Sequence, residues 1–195
     1  MTRRLLGLIG LCFAAACGGG DSAEIPADGI IRLSDQFAGG FDLVNADGDR
    51  VTSEDYKGKV SVIYFGFASC PDVCPLALGL LSAALADLDD DERARLQPVF
   101  ITVDPERDTP EAMKVYLSSF HEDIVGLTGS PAAVEAARQG FKVYAQKAAL
   151  EGSALDYTMN HTSLFYVVDK TGAPVLALRD TLTAEQLAAA LRRNI

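Results

Sequence analysis

Val60-Ser61-Val62-Ile63-Tyr64-Phe65-Gly66-Phe67 runs, two residues later, into Cys70-Pro71-Asp72-Val73-Cys74-Pro75. The first eight residues are almost wholly apolar and rich in β-branched and aromatic side chains, the pattern of a central strand buried on both faces. Two thiols separated by three residues stand where that strand ends and a helix begins. Pro75 suits the first helical position, because the N–H it lacks has no partner there in any case. The helix is expected to reach about Leu88, with Leu76, Leu80 and Ala84 on one side.

Strand-like and helix-like signals alternate outward from this point. Upstream, Phe41 to Val44 and Arg50 to Thr52 flank Asp47-Gly48, a hairpin signature. Downstream, Val99 to Val103 reads as a second buried strand ending in Asp104-Pro105-Glu106-Arg107-Asp108-Thr109-Pro110. Thr109 is the expected N-cap and Pro110 the first residue of the next helix, with Glu111 at the positive end of its dipole and Val115 and Phe120 on its apolar side. Ser130-Pro131 opens another helix to about Gln139, and Gly140 ends it. Ser163 to Val168 is a third strand, and Pro174 to Leu178 a fourth, placed near an edge by its proline. Thr183-Ala184-Glu185-Gln186 is a capping box, after which Leu187 and Leu191 face the core. A hairpin, then strand–helix–strand–helix, then a strand pair and a last helix is an α/β layer pattern. With cysteines at the end of the first central strand it points to a thioredoxin-like fold: a central mixed β-sheet flanked by helices, preceded by an N-terminal hairpin.

If Cys70 and Cys74 share a helical or near-helical turn, their sulfurs fall on one face. Their Cα atoms then lie on the order of 6 Å apart, within reach of a disulfide and equally able to grip one metal ion. Only two histidines could join them. His161, in Met159-Asn160-His161-Thr162, precedes a buried strand whose edge can face the cysteine loop. Two thiolates and one imidazole make a soft, low-coordinate site that suits Cu(I), while zinc normally takes four ligands or a water in the open position. A satisfied strand-end histidine is the competing reading. His121 reads as a helix-end residue that complements the dipole. Asp72 reads as a turn or cap residue. Asp104 either tunes the site as an outer acceptor or bonds local amides, and Met159 reads as packing.

Residues 1–16 read as a cleaved signal peptide: Arg3 and Arg4, the apolar Leu5 to Phe13, then Ala14-Ala15-Ala16 before Cys17. Cys12 and Cys17 belong to this export signal. Alanines directly before a cysteine resemble a bacterial lipobox, which makes Cys17 the expected lipidated residue and 17–38 a flexible tether before one domain over 39–195. This places the protein in the bacterial cell envelope, exported and membrane-anchored on the periplasmic side through lipid on Cys17. Loss of the two arginines takes the formal charge of the 195-residue chain from −10 to −12. So acidic a body argues against nucleic-acid binding. Asp89-Asp90-Asp91-Glu92, the densest acidic run, reads as a solvated loop. Export also implies an oxidising compartment, where two nearby thiols tend to become a disulfide.

The two-proline thiol motif, the stretch Val103 to Pro110, and His161-Thr162 before Phe165-Tyr166-Val167-Val168-Asp169 together resemble the SCO/SenC family. The resemblance covers roughly Phe37 to Ile195. It implies a thioredoxin-like fold with an extra hairpin before the histidine, here Lys142 to Lys147 and Leu155 to Thr158. It implies copper, as Cu(I) or Cu(II), held by Cys70, Cys74 and His161. It also implies a role as a metallochaperone in assembling the binuclear copper site of cytochrome c oxidase, whose copper-site subunit is the expected partner. A copper donor chaperone or a thiol reductant is the expected further partner. The alternative is a thiol–disulfide oxidoreductase using the Cys70/Cys74 redox-active pair on the target's cysteines. A peroxidase-like thiol enzyme fits least, since the mature body has no other cysteine.

Overall fold

A computed structural model of the chain describes residues 29–150 and 155–195. The signal segment, Cys12, Cys17 and the glycine-rich stretch after it lie outside the described residues. The strands of the first half are β1 (Ile30–Arg32), β2 (Asp42–Asn45), β3 (Arg50–Thr52) and β4 (Val60–Gly66). Helices α1 (Val73–Ala86) and α2 (Asp90–Ala94) lead to β5 (Leu96–Thr102), then α3 (Pro110–Leu117), β6 (Val125–Thr128) and α4 (Pro131–Gly140). The hairpin β7 (Ala145–Ala149) and β8 (Tyr157–His161) precedes β9 (Leu164–Val168), β10 (Pro174–Arg179) and α5 (Ala184–Arg192).

Eight strands form one sheet in the order β1-β10-β9-β4-β5-β6-β2-β3, while β7 and β8 pair only with each other. β4 runs parallel to β5 and antiparallel to β9, so the sheet is mixed. Every residue of β4 is buried, as its unbroken apolar run demands. Tyr64 meets Phe100 of β5 and Phe165 of β9 on one face. On the other, Phe65 packs against Phe141, at the end of α4, and Tyr166. The antiparallel register of β9 on β4, with Phe165 opposite Tyr64, brings the start of β9 to the end of β4. The thiol loop and the residues before β9 therefore meet at one sheet edge.

The capping signals place the helices well. Thr109, Ser130 and Thr183 each accept a first-turn amide, and Thr183 and Gln186 close the capping box. Several expectations are corrected. Ile30–Arg32, assigned to the tether, is an edge strand on β10, so Pro174 begins a strand one in from the edge, with a register shift just after it. Asp89 to Glu92 is not a loop: Asp89 caps α2, and Glu92 returns to the Asp89 amide and pairs with Arg192. α1 begins at Val73, putting Pro75 third; the third amide is also unpartnered within a helix, so a proline is equally cheap there. Leu76 and Val115 face solvent, 69% and 74% exposed. The buried faces are carried by Leu78, Leu81 and Leu85 in α1 and by Met113 and Leu117 in α3.

Gly140 ends α4 against Gly39, whose N–H donates to the Gly140 carbonyl at 3.0 Å. A Cβ on Gly140 would run into the Gly39 carbonyl oxygen, and backbone cannot swing aside as a side chain does. Gly140→Ala is expected to cost about 1–3 kcal/mol in denaturant unfolding. Wild-type stability in that variant would mean that the Gly39 turn yields freely.

Candidate metal centre

β4 ends at Gly66, and the loop after it turns at once, the Cys70 N–H donating to the Phe67 carbonyl at 3.2 Å. α1 then starts, with Cys74 in its first turn. The Cys74 N–H donates to Cys70 Sγ at 3.4 Å, so the first sulfur accepts an amide of the helix N-terminus. Cys74 is fully buried and Cys70 only partly so, and both are free thiols. Gly66 makes the room: a Cβ there would stand 2.9 Å from Cys74 Sγ and 2.8 Å from the Phe100 ring. That glycine carries no signal in the sequence beyond its place in an otherwise bulky strand.

His161 is the last residue of β8 and reaches the thiols from across the sheet edge. Its Nδ1 lies 2.9 Å from the Thr162 carbonyl oxygen, which can only accept, so Nδ1 carries the hydrogen. Nε2 is thereby turned toward Cys74 Sγ, 3.4 Å away. Edge-on contacts with Tyr64 at 6.3 Å and Phe67 at 5.8 Å fix the plane of the ring. The structure thus brings Cys70, Cys74 and His161 together. Among the described residues no three His, Cys, Asp or Glu side chains stand in ready-made ligand spacing. The donors are held by hydrogen bonds to one another, which an ion entering between them would replace.

The sulfurs are unlike. The hydrogen bond from Cys74 holds the Cys70 thiol well below the ordinary range; burial opposes this, and His161 and the Cys74 and Asp72 amides add to it. Donating that bond pushes the Cys74 thiol up, and burial pushes it further. The Tyr64 hydroxyl also contacts Cys74. It lies 2.7 Å from Ser163 Oγ, which donates to Asp180 at 2.5 Å, so a hydrogen-bonded chain runs from the buried sulfur to a carboxylate at the end of β10. Tyr64, Ser163 and Asp180 are far apart in the chain, and no local signal in the sequence joins them to the thiols. Asp72 holds the N-cap position, but its side chain caps nothing, against expectation; it is exposed and lines the cleft beside the thiols with Val73, Met159 and Asn160. Met159 also packs against the core. The hydrogen bonds of His121 run to Ser82 and Asp123, not to the thiols.

Asp104 and Asp108 are buried at the end of β5. Asp108 accepts the Ala68 N–H at 3.0 Å and the Thr102 hydroxyl at 2.6 Å, tying down the loop that leads to Cys70. Thr102 Oγ1 accepts the Asp104 N–H in turn. The Asp104 carboxylate takes Arg107 Nε at 2.5 Å and the Tyr157 hydroxyl at 2.8 Å. Asp104 therefore does not touch the thiols and does not accept local amides through its side chain. It grips the hairpin that carries His161.

A dithiol and an imidazole gathered at the strand end of a thioredoxin-like sheet define a class of thiol-and-imidazole proteins. Comparison narrows the class: the SCO1/SenC family model matches residues 31–195, and the chain belongs to that family. Over 142 residues it is 41% identical to Protein SCO2, mitochondrial, of Saccharomyces cerevisiae, and over 157 residues 40% identical to Protein sco1 of Schizosaccharomyces pombe. Those matches cover 73% and 80% of this chain but only 47% and 60% of the two relatives. Bradyrhizobium japonicum ScoI, solved with copper bound, is 40% identical and superposes with a TM-score of 0.75, over 82% of this chain and 99% of that one.

The unlike sulfurs make a kinetic test. With limiting iodoacetamide, Cys70 is expected to be alkylated first, and the reaction to persist well below pH 8.5, the ordinary thiol midpoint. Cys70→Ser should abolish this phase and Cys74→Ser keep it. Equal labelling of both cysteines at pH 6, read by peptide mass mapping, would overturn the asymmetry.

Proposed function

We propose that this protein binds copper through Cys70, Cys74 and His161 and delivers it to the binuclear copper site of cytochrome c oxidase. The observation that carries the reading is His161 Nε2 directed at Cys74 Sγ with Nδ1 already committed to a carbonyl. A pure disulfide exchanger has no use for an imidazole held in this way, whereas a metal carrier needs its third donor oriented. The donor set fits the ion: two sulfurs and one nitrogen are soft ligands in low number, which favours Cu(I). The aromatic shell of Tyr64 and Phe67 keeps water from the inner side.

Copper is cargo here, so the site must release it. Cys70 and His161 line a cleft of about 340 Å³, while Cys74 is buried behind them. An acceptor's sulfur reaches the ion from the cleft, between Cys70 and His161, and ligands can be exchanged one at a time. Loading requires both sulfurs as thiolates, so the Cys74 thiol must give up its proton, and a disulfide cannot bind. The partly exposed Cys70 with Cys74 behind it is also the arrangement of an attacking and a resolving thiol, and this observation favours reduction of the acceptor's cysteines as a second activity of the same pair.

In this reading the domain works at a membrane surface, anchored by lipid on Cys17 outside the bacterial cytoplasm. No helix among the described residues is long and apolar enough to cross a membrane. Mass spectrometry of the membrane fraction is expected to find acyl chains on Cys17; unmodified Cys17 on a protein recovered in solution would remove the anchor.

Copper titration of the reduced domain tests the function. His161→Ala is expected to weaken binding at least tenfold while Cys70 and Cys74 still oxidise and reduce reversibly. Cys70→Ser and Cys74→Ser should lose tight binding, and His121→Ala should retain it. A His161→Ala variant that melts early yet binds copper at wild-type strength would make the histidine structural.

A further inference from the structure

The hairpin that carries His161 is not part of the main sheet, and a two-stranded ribbon alone is marginal in water. Something must therefore fix where His161 stands. Tyr157, Met159 and His161 lie at alternate positions of β8 and so share one face. His161 meets Cys74, Met159 packs on the core, and Tyr157 is held by the loop after β5.

That hold is centred on Arg107. Its Nη1 donates to the Tyr157 carbonyl at 3.0 Å and its Nε to Asp104 at 2.5 Å. The guanidinium lies 3.9 Å from the Tyr157 ring centre and 5.8 Å from that of Phe67, which is itself edge-on to His161. Nη2 is buried and has no hydrogen-bond partner among the described residues. Lys147 on β7 adds an exposed strap to Glu106 at 2.6 Å. One half-buried cation thus engages the backbone, ring and, through Asp104, hydroxyl of a residue four positions before the histidine.

We propose that Arg107 is a positioning residue for the copper site: it clamps Tyr157 and so sets the distance of His161 from the two sulfurs. The inference rests on the copper reading above. Arg107 touches none of the three donors and acts only through the hairpin. A lysine in its place keeps the charge that Asp104 requires but lacks the planar fork that serves Asp104 and the Tyr157 carbonyl together and stacks on the ring.

The test compares Arg107→Lys, Tyr157→Phe and His161→Ala, singly and with Arg107→Lys combined with His161→Ala. Cu(I) affinity of the reduced proteins is measured by competition with a chromophoric chelator, and amide hydrogen exchange by mass spectrometry without metal. Arg107→Lys is expected to lose tenfold to a hundredfold in affinity, the scale of an outer-shell partner, and Tyr157→Phe less. Exchange should quicken in 157–161 and stay slow in β4 and β9. In the His161→Ala background Arg107→Lys should change affinity no further, because its effect passes through the lost imidazole. X-ray absorption of copper-loaded Arg107→Lys should show a weakened histidine contribution with both sulfurs kept.

A loss that adds in full to that of His161→Ala, or wild-type affinity in Arg107→Lys while His161→Ala binds weakly, overturns the positioning role and leaves the copper reading intact. Wild-type affinity in His161→Ala itself overturns both. Tyr157→Phe keeps ring and charge in place, so the role stays falsifiable if the arginine variant does not fold.

Discussion

Two carboxylates buried at the end of one strand hold the two halves of this site together. Asp104 and Asp108 are each 1% exposed, and a buried charge is tolerated only when hydrogen bonds or an opposite charge replace its water. Here the replacements lie on the segments that must be brought into register. Asp108 satisfies itself on Ala68, two residues before Cys70; Asp104 on Arg107 and Tyr157, at the root of the strand that ends in His161. Thr102 joins the pair, donating to one and accepting from the amide of the other. Each member left unpaired would cost about 1–3 kcal/mol, more where it is charged, so the network favours one arrangement of thiol loop and hairpin over looser ones. Burial pushes the Asp108 carboxyl up despite its donors.

Around that junction the packing decides what the donors can do. Tyr64 belongs to the most buried strand and still carries its hydroxyl to the edge, where it meets Cys74 and Ser163. Gly66, two residues on, is the gap in the same strand that the Cys74 sulfur fills. The strand therefore contributes a wall, a hydrogen-bonding group and a vacancy within three residues, and the helix dipole begins just outside it. In a thiol pair placed here the first sulfur is pushed toward the thiolate and the buried second toward the thiol, with no cationic side chain among the named contacts.

Much of this was legible from residues in order. The two-sided burial of Val60 to Gly66, the helix caps at Thr109, Ser130 and Thr183, and the turn at Gly48 are local chemistry, and local chemistry is written in adjacent letters. The two thiols and His161 were nameable from type and spacing. What was missed depends on contacts between distant segments. Leu76 and Val115 are apolar yet face solvent, because which side of a helix is buried is set by where the sheet lies. Asp104 reads as a neighbour of the site, but its partner Tyr157 is 53 positions away. The acidic run from Asp89 looked like a loop because its charges dominate its composition; only the return bond from Glu92 to Asp89 reveals a helix start.

The site's asymmetry bears on holding an ion as against passing it on. Structural metal sites close their coordination within the protein, while working sites leave a side open. Here Cys74 is the inner group, buried against the strand, while His161, its ring set by Tyr64, Phe67 and the Thr162 carbonyl, lines the cleft. Cys70 also faces the cleft; it sits on the loop and accepts amides of the first helical turn. A ligand that leaves first should be the one whose departure disturbs least, and an anion at a helix N-terminus keeps its stabilisation after the ion has gone. The arrangement thus leaves one sulfur buried and the other sulfur and the imidazole open to the cleft, the open side that the proposed carrier role needs and a closed structural site lacks.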